Sequence, residues 1–155
     1  RALNTRRSGL TKAEQAVACF GEGHSCSQAV LSTYGPELGL ERELALKAAQ
    51  GLGGGMGHLG EVCGAVTGAF IVLGLRYGTS DAADRAARDR VYQRVRELAE
   101  RFAVRRGSIL CRELLGCDIG TPEGLSHARE QGLFSTLCPA LVRDASELLE
   151  QLSAE

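Results

Sequence analysis

The chain has 155 residues, of which 44% are hydrophobic, 24% charged and 5% aromatic, the composition of one soluble globular domain rather than of a disordered or fibrous polymer. Its 18 Lys and Arg residues face 19 Asp and Glu, a formal net charge of −1, so no global field gathers nucleic acid or an anionic membrane surface, and neither partner is expected. The longest uncharged apolar stretch, 62–75, falls short of the roughly 20 residues that span a bilayer. It reads as buried core, and no membrane span is expected.

Residues 1–10 are basic but lead into no apolar region, so no secretory signal is read and the cytoplasm is the expected location. They are set apart as an extension that need not be ordered, ahead of a single domain over residues 11–152. Apolar residues then recur at helical spacing almost throughout, and no alternating run bounded by turn residues stands out. The expected fold is all-α: a single-domain helical bundle around a central, buried, glycine-rich helix.

In chain order, Thr11 and Glu14 predict a capping box for a short helix that ends near Phe20, closed by Gly21-Glu22-Gly23. A second helix runs from about Ser25 to Tyr34-Gly35-Pro36. A third, from about Glu41 to Gly51, is expected to bury Leu44, Ala48, Ala49 and Leu52 before the glycine-rich segment 51–60 breaks it. The apolar segment from Val62 to about Tyr77 has small residues at Gly60, Gly64 and Gly68 and predicts a helix packed closely on a neighbour. Ser80 is the expected cap of the longest helix, about Asp81 to Arg106, with Ala83, Ala87, Val91, Val95, Leu98 and Phe102 inward and a mixed-charge outer face. A short helix from Ser108 to Leu115 and another from about Thr121-Pro122-Glu123 follow. The last, Pro139 to Leu152, points Leu141, Val142, Ala145, Leu148, Leu149 and Leu152 inward.

Six cysteines, at 19, 26, 63, 111, 117 and 138, are many for an intracellular chain large enough to build a core without cross-links, and they point to metal or redox chemistry. On this helix map Cys26, Cys63, Cys111 and Cys138 fall at helix starts, whereas Cys19 and Cys117 fall near helix ends. Unpaired amides and aligned peptide dipoles at a helix start favour thiolate, the form that binds metals and attacks disulfides. All four are therefore expected to have lowered pKa values, and if they converge they suit an iron–sulfur cluster or other thiolate-bound metal. No Cys-x-x-Cys pair is present, which removes the thioredoxin-type motif and the zinc ribbon. Gly64 and Gly68 carry no side-chain bulk, so a neighbouring helix or a bound centre can approach the backbone there, and both are candidate cofactor-binding positions. His24 and His58 lie near Cys26 and Cys63 in sequence and are candidate auxiliary ligands or proton carriers. The run Gly55-Met56-Gly57-His58-Leu59-Gly60 matches G-x-G-x-x-G literally, yet follows a helix-like segment where a dinucleotide fold needs a strand, so NAD is not expected.

The element Cys63-Gly64-Ala65-Val66-Thr67-Gly68, with Cys26 before it and Cys111 and Cys138 after it, resembles the C_GCAxxG_C_C family of redox-active proteins. The resemblance extends over residues 11–152. It is supported by Gly51-Leu52-Gly53-Gly54-Gly55-Met56-Gly57 and by Gly107-Ser108 leading into Cys111-Arg112-Glu113-Leu114-Leu115-Gly116. His24 stands where an aromatic residue is common in the family. The resemblance implies redox activity carried by the same four cysteines that helix placement selects. A similar domain in the split-Soret cytochrome accompanies haem and an iron–sulfur centre, which implies a cluster; no C-x-x-C-H attachment sequence is present, so haem is not expected. The expected function is thus an iron–sulfur or related metal centre for electron transfer, ligated by Cys26, Cys63, Cys111 and Cys138. The alternatives are a thiol–disulfide protein with Cys63 as its reactive thiol, and a metal-binding or sensory module without turnover. A homodimer with a separate redox partner is expected.

Overall fold

The computed structural model describes residues 9–155; the expectation for the N-terminal extension falls largely on 1–8, outside the described residues. Helices are α1 (Lys12–Gly21), α2 (Cys26–Tyr34), α3 (Arg42–Ala49), α4 (Gly64–Tyr77), α5 (Arg85–Arg106), α6 (Cys111–Leu115), α7 (Pro122–Glu130), α8 (Leu133–Thr136) and α9 (Cys138–Ser153). Among the described residues there is no strand, and an isolated antiparallel bridge pairs Val62 with Leu110. The chain is an all-α single domain, as its periodicity predicts. No helix among the described residues is long and apolar enough to cross a membrane.

The apolar segment after Val62 forms α4, and its Ala65, Val66, Ala69, Val72 and Leu73 are fully buried. It lies across α2, with α5 and α9 packed on its other sides. Two glycines set how close that crossing is. A Cβ at Gly68 would stand 2.9 Å from the Ser27 carbonyl oxygen, and one at Gly64 would stand 3.1 Å from the Ser27 amide nitrogen. The α2 start is fixed by a two-way capping box, in which Ser25 accepts from the Gln28 amide and Gln28 accepts from the Ser25 amide. At Thr11 the hydroxyl arm of the expected box is made. Helix α9 buries all six of its predicted inward residues against α1, α2, α4 and α5. Tyr34 ties α2 to it by donating to Glu150 at 2.9 Å.

Three sequence expectations are corrected. The longest helix begins at Arg85, capped by Asp84, because Thr79 and Asp81 accept from the amides of Asp81 and Ala83 and hold the preceding residues in turns. Ser80 is therefore not the cap, and Ala83 is exposed. In α3 the buried face is Ala45 and Ala49, while Leu44 is 53% exposed and Ala48 is exposed. The small side chains let α3 lie flat on α2, where Ser27 donates to the Ala49 carbonyl and Gln28 to the Leu46 carbonyl. The short helix before Leu115 starts at Cys111, since Ser108 accepts from the Leu110 amide in a turn of its own.

The main core joins α1, α2, α3, α4, α5 and α9, and a smaller cluster of Cys111, Leu115, Ile119, Ala128 and Cys138 sits beside it. Cys26 packs against both clusters. In urea denaturation, Asp84→Ala should lower stability by about 1 kcal/mol while Ser80→Ala stays within about 0.5 kcal/mol. Gly68→Ala should cost about 1–3 kcal/mol by forcing α4 off Ser27; an unchanged midpoint for it would contradict the close crossing.

Candidate functional site

Cys63 and Cys111 are brought together by a short antiparallel pairing of 60–63 with 109–112. The Cys63 amide donates to the Ile109 carbonyl at 2.8 Å, the Cys111 amide to Glu61 at 2.6 Å, and the Arg112 amide to Gly60 at 3.1 Å. Cys63 is the cap residue of α4, its carbonyl accepting from the Val66 and Thr67 amides. The glycine-rich loop folds over this pairing through Gly55, whose φ is +67°. A Cβ there would lie 2.7 Å from the Glu61 amide nitrogen and 2.8 Å from Cys111 Cβ, so only glycine fits. A side chain at Gly54, also at φ +67°, would overlap the His58 ring.

Cys26 is the first residue of α2, directly after the Ser25 cap, and Gly64 packs on it with a notional Cβ 3.3 Å from Cys26 Cβ. Cys138 opens α9, one residue after α8 ends, and Pro139 follows it inside the first turn. Cys26, Cys63, Cys111 and Cys138 line a single cavity of about 220 Å³, walled by Phe20, Leu114, Leu115, Phe134 and Leu141 and bordered by Ser25, Gly54, Gly55, His58 and Gly64. All four are free thiols. Gly68 lies one turn beyond Gly64, against Ser27 and Val30.

The thiols do not have the uniformly low pKa values expected from helix starts. Burial pushes Cys63 up to about 11, against the opposing pull of the Ala65 and Val66 amides. Cys111 is pushed up to about 12 by burial first and by the charges of Cys63, Cys138 and Cys117 after it. Cys26 is raised, foremost because its thiol hydrogen-bonds to Cys138 and then because it is buried; Cys138 is lowered by accepting that bond. At Cys63 and Cys111, desolvation in an apolar cavity outweighs the pull of the helix start. At Cys111 the helix is only five residues long and its first amides already serve Glu61 and Gly60.

Cys117 is half-buried in the smaller cluster, and Cys19 is fully buried with its sulfur 3.5 Å from the Ser32 hydroxyl oxygen. His58 is exposed and borders the cavity. His24 does not join the four cysteines; its ring nitrogen, Cys19 Sγ and a Glu22 carboxylate oxygen lie within 4.8 Å of one another. Spacing alone concealed this group, and the signal that could have found it is Cys19-x-x-Glu22-x-His24 at a helix end.

A family model described as "Putative redox-active protein (C_GCAxxG_C_C)" matches residues 24–152, well over half of the chain. The chain belongs to this family. No curated protein and no solved structure matches it significantly. All four cavity cysteines of this C_GCAxxG_C_C member fall inside the matched span, and Cys19 falls outside it.

The pKa directions fix how the reduced, metal-free protein responds to alkali. An unfolded thiol loses its proton near pH 8.5, whereas Cys63 and Cys111 hold theirs to about 11 and about 12. The unfolded state therefore binds fewer protons in this window, and stability should fall as pH rises from about 8.5 through these values. Cys138, being lowered, acts in the opposite sense, but it is one thiol against three. Urea midpoints at pH 7, 9 and 10 should decline, and less steeply in the Cys63→Ser, Cys111→Ser double variant; a rising midpoint in the parent would contradict the burial argument.

Proposed function

We propose that Cys26, Cys63, Cys111 and Cys138 together hold an iron–sulfur or related thiolate-bound metal centre used for electron transfer. The observation that carries this is the convergence of four thiols, from four separate elements, on one apolar cavity. A volume of about 220 Å³ is many times the roughly 10–15 Å³ that one water needs, so the space fits a polyatomic group.

Such a group, when bound, supplies one-electron storage at a potential set by its sulfur ligands and surroundings. The protein's own residues supply the frame. Phe20, Phe134, Leu114 and Leu141 keep water from the sulfurs, and the loop through Gly54 and Gly55 closes over Cys111. The start of α2 and the start of α4 direct amides and dipoles towards negative charge in the cavity. The cytoplasm, where thiols stay reduced, suits this chemistry. A homodimer and a separate redox partner complete the reading, with the exposed Tyr92 and Val104 on α5 as surface available to them.

Two thiols of one cavity that shift in opposite directions, Cys138 lowered and Cys26 raised, support a second reading, thiol–disulfide exchange. The Cys138 thiolate attacks a substrate disulfide, forming a mixed disulfide and releasing one substrate thiolate. Cys26 then attacks the mixed disulfide, its proton passing to the second substrate sulfur, which departs as a thiol, and a Cys26–Cys138 disulfide remains, two electrons having passed to the substrate. Cys138 takes the attacking role here in place of Cys63, whose thiol at about 11 is almost wholly protonated at neutral pH. A third reading is a metal-binding or sensory module without turnover.

Protein purified without oxygen should contain iron and a visible absorption band that bleaches on reduction. Cys63→Ser or Cys111→Ser should remove both, and Cys117→Ser should leave them nearly intact. Equal loss in all three variants would overturn the division of the cysteines. A metal-free protein that reversibly loses two thiols on mild oxidation would transfer the conclusion to thiol–disulfide exchange, and tight metal binding at the four cysteines without redox cycling would transfer it to the sensory module.

A further inference from the structure

The geometry points to a second, mononuclear metal site built by Cys19, Glu22 and His24, suited to zinc or a similar divalent transition metal and separate from the four-cysteine cavity. One sulfur, one carboxylate oxygen and one imidazole nitrogen lie within 4.8 Å of one another, near the spacing that a single tetrahedral ion imposes on its ligands. Local structure accounts for the meeting. Cys19 sits in the last turn of α1, and Glu22, three residues on, lies on the same helix face as the cap whose amide donates to the Ala18 and Cys19 carbonyls, while the Gly23 amide donates to Phe20. Gly23 then turns the chain back with φ +104°, which returns His24 over Cys19.

The donor set is chemically selective. A thiolate disfavours calcium and magnesium, which take oxygen ligands, while mixed sulfur, nitrogen and oxygen donors are those of zinc sites. Charge balance permits burial: a thiolate and a carboxylate neutralise a divalent ion, so Cys19, fully buried as a thiol, can ionise there, its proton passing to solvent. Ser32 supports the sulfur from α2, its hydroxyl 3.5 Å from Cys19 Sγ, the place of an outer partner that orients a ligand. The Arg42–Glu22 ion pair is long, 3.9 Å, and exposed, and a pair of that kind is weak. His24 also borders an open groove of about 380 Å³ with Phe20, Arg129 and Phe134, which gives an ion a path in and leaves a fourth position for water or a small ligand. Phe20 and Phe134 wall this groove on one side and the cysteine cavity on the other.

The test is titration with Co²⁺ of the full, reduced, metal-free chain carrying Cys63→Ser and Cys111→Ser, which disables the four-cysteine cavity as a competing thiolate site, followed by displacement with Zn²⁺. One equivalent should bind with a thiolate-to-cobalt charge-transfer band that Zn²⁺ removes, and adding Cys19→Ser should abolish it. Because Cys19 is buried and its variant can fail to fold, His24→Gln and Glu22→Gln in the same background decide the matter: each should raise the Zn²⁺ dissociation constant by at least about tenfold, and Ser32→Ala by about tenfold, with circular dichroism unchanged. A band that is absent from the folded double variant, or that survives His24→Gln and Glu22→Gln unaltered, overturns the assignment. Neither result depends on the iron content of anaerobic protein, so this site and the four-cysteine centre stand or fall separately.

Discussion

Everything at the cysteine cavity depends on the contact between the first turns of α2 and α4. With no side chain at Gly64 or Gly68, α4 rests on Ser27 at a distance that a methyl group would not permit, and this sets the α2 start, with Cys26, beside the α4 start, with Cys63. The bridge between Val62 and Leu110 then carries Cys111 to the same place, and α8 leads almost directly into α9 to deliver Cys138. The site is thus a product of helix crossing and backbone pairing. No local peptide motif supplies two of its four thiols, and loosening one glycine contact would move Cys26 and Cys63 apart together.

The position of the cavity in the core follows from the same arrangement. Cys63 belongs to the main hydrophobic cluster, Cys111 and Cys138 to the smaller one, and Cys26 packs against both. The four thiols therefore occupy the seam between two packed units. A group bound there would contact both and so couple the 109–138 segment to the bundle formed by α1, α2, α3, α4, α5 and α9. Binding to the folded state alone would stabilise the whole chain by mass action.

Patterning made much of this legible. Helical spacing disclosed α4 and α9, and the inward residues of α9 from Leu141 to Leu152 are all buried. Helix starts at Cys26, Cys63 and Cys138 were also readable, since Ser25, Gly64 and Pro139 mark them, whereas the start at Cys111 was legible only to within three residues because Ser108 turns the chain without capping the helix. What spacing could not reveal depended on interactions it does not encode. The start of α5 moved to Arg85 because Thr79 and Asp81 hydrogen-bond to their own turn. The buried face of α3 rotated from Leu44 to Ala45 because close docking on α2 rewards small side chains over large ones. The grouping of Cys19, Glu22 and His24 depended on the positive φ of Gly23, a backbone angle with no counterpart in hydrophobic pattern.

The thiol pKa values show why position at a helix start was an incomplete guide to chemistry. A helix terminus contributes a fraction of a charge over one turn, whereas an apolar cavity penalises the whole charge of the thiolate. At Cys63 two backbone amides stabilise the anion and burial still raises the thiol to about 11. A cavity of this kind tolerates its cysteines as neutral thiols, as thiolates neutralised by metal, or as disulfides, and it disfavours a free nucleophilic thiolate. Cys138 departs from this because its interaction with the Cys26 thiol lowers it by more than burial raises it. The same cavity therefore holds Cys63 and Cys111 as neutral thiols, and Cys138 is the one thiol of the four held below its ordinary value.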